Sequence, residues 1–202
     1  MSASRRLSDI RHWVFDMDGT LTVAAHDFPA IKRVLGIAQE EDILGHLAAL
    51  PAEESAAKHA WLLDHERELA LASQPAPGAV ELVRDLAGRG YRLGILTRNA
   101  RSLAHITLQA IGLADCFAVD DVLGRDEAPP KPDPGGLLHL AANWQVEPAN
   151  MVMIGDYRYD LDCGRAAGAY TILVNLPENP WPELTDSYAL DCQVLRTMLA
   201  DT

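Results

Sequence analysis

His12-Trp13-Val14-Phe15-Asp16-Met17-Asp18-Gly19-Thr20-Leu21 carries the reading of the whole chain. Trp13 to Phe15 is a short apolar run of the kind that forms a buried strand in a parallel sheet. Two carboxylates, Asp16 and Asp18, follow; Gly19 then lets the backbone turn and Thr20 adds a hydroxyl. Ligands of open α/β sheets bind beyond the carboxyl ends of the strands, and these acids fall there. Two carboxylates this close repel each other, so such a site recruits a cation or shares a proton. An acid leaving a strand is held more rigidly than one on a loop, which suits Asp16 to nucleophilic work and leaves Asp18 to handle protons. Taken alone, a strand ending in a polar turn accounts for the same residues.

Downstream, residues 22–77 read as an all-helical insertion after the first strand, with no strand pattern. Helices are expected over Phe28 to Leu35, Glu40 to Leu50 and Glu53 to Ala72, the last with Trp61, Leu62, His65, Leu69 and Ala72 on one face. Gln74-Pro75-Ala76-Pro77-Gly78 breaks the pattern. A helical unit beside the acidic strand end can close over a ligand and exclude water; a passive subdomain or a dimer surface has the same pattern. His26, Lys58, His59, His65 and Arg67 are polar groups of this insertion without an assignable role.

Residues 1–21 and 78–202 then make an α/β core. A helix over Gly78 to Gly88 precedes a strand, Arg92 to Leu96, which ends in Thr97-Arg98-Asn99. Thr97 can donate to a phosphoryl oxygen, the following helix can favour an anion at its start, and Arg98 can reach an anionic substrate or stay in solvent. Cys116 to Val119 reads as a short strand, and Asp120 to Pro130 as an irregular acidic stretch. Lys131 stands between Pro130 and Pro132, whose rings restrict its backbone and can hold the ammonium over the site. A helix over Leu137 to Trp144 and a strand over Asn150 to Ile154 lead to Gly155-Asp156-Tyr157-Arg158-Tyr159-Asp160, the second acidic cluster. Asp156 and Asp160 form an all-oxygen set suited to Mg²⁺, while Asp162 caps a helix or faces solvent. A helix over Leu161 to Ala167, a strand over Tyr170 to Val174, an edge strand at Tyr188 to Leu190 and a helix over Val194 to Leu199 complete the chain, with Trp181 as an anchor for the tail.

Composition narrows the classes. The formal charge of -12 disfavours nucleic-acid backbones and anionic membrane surfaces as partners. It does not exclude a small phosphorylated metabolite, because a metal ion and a few cationic side chains reverse the sign locally. Cys116, Cys163 and Cys192 have no metal-ligand spacing and read as free thiols. No membrane span is expected, and Arg5 and Arg6 are not followed by an apolar signal core. A cytoplasmic location fits; monomer and homodimer both remain open.

Asp16 with Asp18, Thr97, Lys131, and Asp156 with Asp160 follow successive strands or lie in nearby loops, and a βαβ sheet can gather them. The chemistry they could perform is phosphomonoester hydrolysis. Asp16 would attack phosphorus, Asp18 would protonate the leaving oxygen and then activate water, and Mg²⁺ would neutralise charge. A receiver-like phosphoacceptor uses similar groups, but Asp18 and the insertion favour turnover. A phosphosugar mutase would need to shield its intermediate from water, a carbon–halogen dehalogenase needs no Mg²⁺ cluster, and a noncatalytic interaction protein leaves the full set unexplained.

The stretches Asp16-Met17-Asp18-Gly19-Thr20-Leu21, Thr97, Lys131-Pro132-Asp133-Pro134 and Gly155-Asp156 with Asp160 resemble the four motifs of the haloacid dehalogenase-like hydrolases, most closely the phosphoglycolate phosphatase-like branch. The resemblance spans nearly the whole chain. It implies a Rossmann-like, mostly parallel sheet flanked by helices, a small all-helical cap at 22–77, and Mg²⁺-dependent phosphatase activity on phosphoglycolate or a sugar phosphate. It also implies the roles: Asp16 as nucleophile, Asp18 as general acid/base giving its backbone carbonyl to Mg²⁺, Asp156 and Asp160 at the metal, and Thr97 and Lys131 on phosphate. Asn99 and the backbone near Arg98 fall where the family contacts phosphate. The cap is shorter than the larger helical caps of that branch, which would admit a wider range of monoesters.

Overall fold

Trp13 and Phe15 cannot share a face with Val14 in a strand, because successive side chains alternate. The computed structural model describes residues 7–25 and 27–200, so Arg5, Arg6 and His26 lie outside the described residues. In it β1 (His12–Phe15) buries Trp13 and Phe15 in one apolar layer and Val14 in another. The chain continues through α1 (Phe28–Leu35), α2 (Ile43–Ala49), α3 (Ala52–Leu71) and α4 (Ala79–Gly88) to β2 (Arg92–Leu96), α5 (Arg101–Ala110) and β3 (Val122–Leu123). It then runs through α6 (Gly135–Trp144), β4 (Met151–Gly155), α7 (Arg158–Ala167), β5 (Tyr170–Leu173), β6 (Ser187–Tyr188) and α8 (Cys192–Ala200).

Among the described residues the strands form one parallel sheet in the order β3-β2-β1-β4-β5-β6, the Rossmann-like α/β architecture that the sequence predicts. The chain leaves β1 toward β3 and returns to start β4 on the other side. Strand order therefore reverses between β1 and β4, where open sheets form their ligand crevice. Phe15 is in register with both Ile95 and Ile154, so β1, β2 and β4 end level and release Asp16, Thr97 and Asp156 at one edge. Leu82, Leu86, Leu108 and Leu195 of α4, α5 and α8 cover the Trp13 and Phe15 face. Leu137 and Leu140 of α6 and Cys163 of α7 cover Val14 and Met153. The three cysteines are free thiols, and no described helix is long and apolar enough to cross a membrane.

The insertion leaves and returns side by side: Val23 N–H donates to Gln74 O and Ala76 N–H to Leu21 O, both at 2.9 Å. Ile31, Leu35, Ile37, Leu47 and Leu62 give α1–α3 their own apolar cluster. α3 also packs on the core, where Ala70 joins Ala100 and Leu103. Beside that patch Arg125 Nη1 donates to both carboxylate oxygens of Glu66 at 3.1 Å.

Several sequence expectations need correction. Cys116 to Val119 is not a strand: 3-10 turns occupy Ala114–Cys116 and Val119–Asp121, and the strand is Val122–Leu123. The strand must align with β2, which it does through Ile95 with Val122, while Phe117 turns its ring edge-on to Phe15, 6.2 Å between centroids. The helix expected from Glu40 starts at Ile43 because Asp42 caps it, Oδ2 accepting from Gly45 N–H at 2.8 Å. The expected face of α3 is displaced: Leu62, Glu66 and Ala70 are buried, whereas Trp61 stacks on His65 near the surface. Hydrophobic spacing passed over Glu66 because an acid belongs on a buried face only when a distant cation meets it. The Tyr188 to Leu190 edge strand is instead Ser187–Tyr188, and α7 begins at Arg158, ahead of Leu161.

Removing one partner of a buried ion pair leaves the other charge stranded. Glu66→Leu should therefore cost about 3 kcal/mol of unfolding free energy, and adding Arg125→Leu should recover part of that loss in urea titrations. Equal stability of Glu66→Leu and wild type would show that this pair does not hold α3 to the core.

Candidate active site

Alternation along β1 carries Asp16 onto the face of Val14, the face covered by α6 and α7. Lys131 lies just ahead of α6 and Asp160 in the first turn of α7, so the three converge. Lys131 Nζ donates to Asp16 Oδ1 at 2.5 Å and is paired with Asp160 Oδ1 at 2.7 Å. The other Asp160 oxygen accepts from Tyr157 N–H at 3.0 Å, which fixes the carboxylate over the start of α7. Lys131 and Asp160 are buried. Burial opposes the lysine charge, but the two carboxylates outweigh it and hold Lys131 above the ordinary lysine range.

Asp156 closes the group from the end of β4. Asp16, Asp156 and Asp160 each offer an oxygen, and these lie within 4.8 Å of one another. Three carboxylate oxygens suit a small hard divalent cation. Thr20 Oγ1 donates to Asp156 Oδ1 at 2.9 Å. Burial and then the Asp16 charge push Asp156 up to about 6. Two glycines make the convergence possible. A Cβ on Gly155 would lie 2.2 Å from the Asp160 carboxyl, and one on Gly19, at φ +83°, would lie 2.3 Å from Asp156 Oδ2.

Asp18 is held from the end of β2. Asn99 Nδ2 donates to its Oδ2 at 2.6 Å, and Asn99 N–H donates to Thr97 Oγ1 at 3.1 Å. Burial and the Asp16 charge raise Asp18 to about 7, against the lowering effect of Asn99. A carboxyl group in that state can give a proton near neutrality and take one back.

The structure thus brings together Asp16, Asp18, Asn99, Lys131, Asp156 and Asp160, with Thr97 at the end of β2 beside Asn99. The Arg98 side chain turns to the insertion. Its Nη2 donates to Asp42 Oδ1 of the insertion at 2.7 Å, and its guanidinium lies 5.5 Å from the centre of the Tyr159 ring. Asp162 pairs with Arg158 at 3.2 Å near the surface. Trp181 meets Tyr157 edge-on, 5.7 Å between centroids, tying the tail to the start of α7. Sequence reasoning missed Asn175, whose Nδ2 donates to Gly19 O at 2.8 Å and Thr20 O at 2.9 Å, holding the turn after Asp18. No local pattern pointed to it, since its partners lie at the other end of the chain.

Residues 10–168 match the family model described as haloacid dehalogenase-like hydrolase. The chain is 34% identical over 178 residues to a haloacid dehalogenase-like hydrolase domain-containing protein of Arabidopsis thaliana, covering 82% of this chain and 71% of that one. It is 32% identical over 190 residues to the phosphoglycolate phosphatase of Rhodospirillum rubrum, covering 80% and 78%. Among solved structures, a hydrolase from Pseudomonas syringae superposes with a TM-score of 0.76 at 21% identity, covering 95% and 98%. The matched region contains both acidic clusters, Thr97 and Lys131, and with that match the chain belongs to the haloacid dehalogenase-like hydrolases.

Proposed function

We propose that this chain is a Mg²⁺-dependent phosphatase that hydrolyses a small phosphomonoester, phosphoglycolate or a sugar phosphate, through an aspartyl-phosphate intermediate. One observation carries the reading: Asp16, Asp156 and Asp160 offer oxygens within 4.8 Å of one another, the Lys131 ammonium pairs with Asp16 and Asp160, and Asp18 follows Asp16 by two residues. Membership of the family and the phosphatase relatives support a phosphoric monoester hydrolase.

Asp16 attacks phosphorus, and Asp18 gives its proton to the departing alcohol oxygen as the P–O ester bond breaks. In the second half-reaction Asp18, now ionised, takes a proton from water as the water oxygen bonds to phosphorus and releases Asp16. Asn99 keeps Asp18 oriented through both steps. Lys131 offsets negative charge on Asp16 and on the phosphoryl oxygens, with the Thr97 hydroxyl available to the same group. Asp16, Asp156, Asp160 and the Asp18 backbone carbonyl would hold Mg²⁺, which would supply charge neutralisation for the phosphoryl group. The insertion acts as the cap, limiting water and shaping the space for the leaving group.

Asp16→Asn should lower turnover of phosphomonoesters by about 10³-fold or more with the fold intact by circular dichroism. Asp18→Asn should separate the half-reactions: with an activated aryl phosphate a burst of phenol release persists while steady-state hydrolysis falls. Ordinary Mg²⁺-dependent turnover by Asp16→Asn would exclude the nucleophile assignment.

The metal-free site also has a pH signature. Asp156 at about 6 and Asp18 at about 7 lie above the ordinary aspartate value of about 3.9, so the folded state binds more protons than the unfolded one between these limits. Their contribution to stability is fully present below about pH 3.9 and is lost as pH rises through 6 and 7, by about 3 kcal/mol for Asp156. In EDTA, Asp156→Asn should gain thermal stability relative to wild type between pH 5 and pH 8. Mg²⁺ should raise the wild-type melting temperature more at pH 8 than at pH 5, since protons compete for the same oxygens. A Mg²⁺ effect of the same size in Asp156→Asn would place the ion elsewhere.

A further inference from the structure

Arg98 follows β2 and its guanidinium faces Tyr159, which follows β4. β1 lies between those two strands, so the side chain reaches across the end of the strand that bears Asp16 and Asp18. There it meets Asp42 of the insertion, which accepts from Nη2 through Oδ1. The Arg98 Nε is buried without a hydrogen-bond partner. The phosphatase reading gives Lys131 and Thr97 to the phosphoryl group, so Arg98 is a cation that the reading leaves without a task. What it binds in this structure is a carboxylate, and the pair remains partly open to solvent, 33% and 53% exposed. Such exposed pairs are weak and readily exchanged.

We infer that Arg98 is a specificity-determining residue: it exchanges the Asp42 carboxylate for a carboxylate on the leaving group of the substrate, so that phosphomonoesters carrying a second, carboxylate charge are preferred. The inference rests on the phosphatase reading above. The guanidinium fork suits this exchange, because Nε and one Nη can face a carboxylate as a pair, and Asp42 engages Nη2 while Nε stays unpaired. Asp42 is then a built-in competitor. Its other oxygen caps α2 through Gly45 N–H, a task that asparagine performs equally well.

The test compares substrates matched in size: 2-phosphoglycolate against ethyl phosphate, and 3-phosphoglycerate against glycerol 3-phosphate, each with Mg²⁺. Wild type should favour the carboxylate member of at least one pair in kcat/KM. Asp42→Asn keeps the helix cap and removes the competing charge. It should lower KM for that carboxylate substrate several-fold while leaving the matched neutral-tail substrate unchanged. Arg98→Gln should erode the preference by roughly tenfold or more, the scale of a charge-assisted hydrogen bond, chiefly through KM. Equal losses on both members of a pair in Arg98→Gln, or an unchanged preference in Asp42→Asn, would make the contact a simple tie between insertion and core and overturn the exchange. Hydrolysis of the neutral-tail substrates without any carboxylate preference overturns it as well and leaves the phosphatase reading standing. Failure to hydrolyse any of the four overturns both.

Discussion

The Lys131 ammonium between Asp16 and Asp160 is the contact on which the site depends. Asp16, Asp156 and Asp160 crowd into one crevice, where burial and then the Asp16 charge make Asp156 costly to ionise. A fixed positive charge 2.5 Å from Asp16 and 2.7 Å from Asp160 lowers that cost. It sets a cation directly against the side chain that is to attack phosphorus. The charge that Lys131 does not balance is what a divalent cation would take up. Asp18 differs because it accepts from the side-chain amide of Asn99. Asp16 thus faces a cation, while burial and the Asp16 charge push Asp18 up to about 7, although only Met17 separates them.

That division follows from the sheet. β1, β2 and β4 end level, so groups released at their ends meet without long loops. Alternation turns Asp16 toward the α6 and α7 side, where Lys131 and Asp160 wait. Gly19 and Gly155 then remove the two side chains that would keep the acidic turns apart. Each requirement is ordinary, and the crevice exists because all are met at the strand where the topology reverses.

The boundary between insertion and core is charged as well as apolar. Ala70 packs on Ala100 and Leu103, but Glu66 and Asp42 of the insertion each reach an arginine of the core, Arg125 and Arg98. The arginines flank the same structural node. Arg125 N–H donates to Asn99 O at 2.9 Å, and Arg98 adjoins Asn99 in the chain. A buried apolar joint would be indifferent to a charged ligand. This joint includes ion pairs, and it lies beside the residue that orients Asp18.

Most of the architecture was legible in local spacing. The Trp13 to Phe15 run ahead of Asp16, the helix from Phe28 to Leu35 and the strand from Arg92 to Leu96 all follow periodicity that short segments carry by themselves. The acidic clusters and Thr97 were legible too, because they follow strands, and Lys131 was legible because prolines flank it. Where the sequence failed, a distant partner was making the decision. Val122 and Leu123 form the edge strand because β2 offers a register for them. Glu66 is buried because Arg125 meets it, Arg98 turns to the insertion because Asp42 is there, and Asn99 orients Asp18 from a neighbouring strand. Residue order determines periodicity, turn chemistry and the supply of acids and cations. Which charges become partners is set by register and packing, since an ion pair forms only after folding has brought its members within reach and removed the water that would otherwise solvate them.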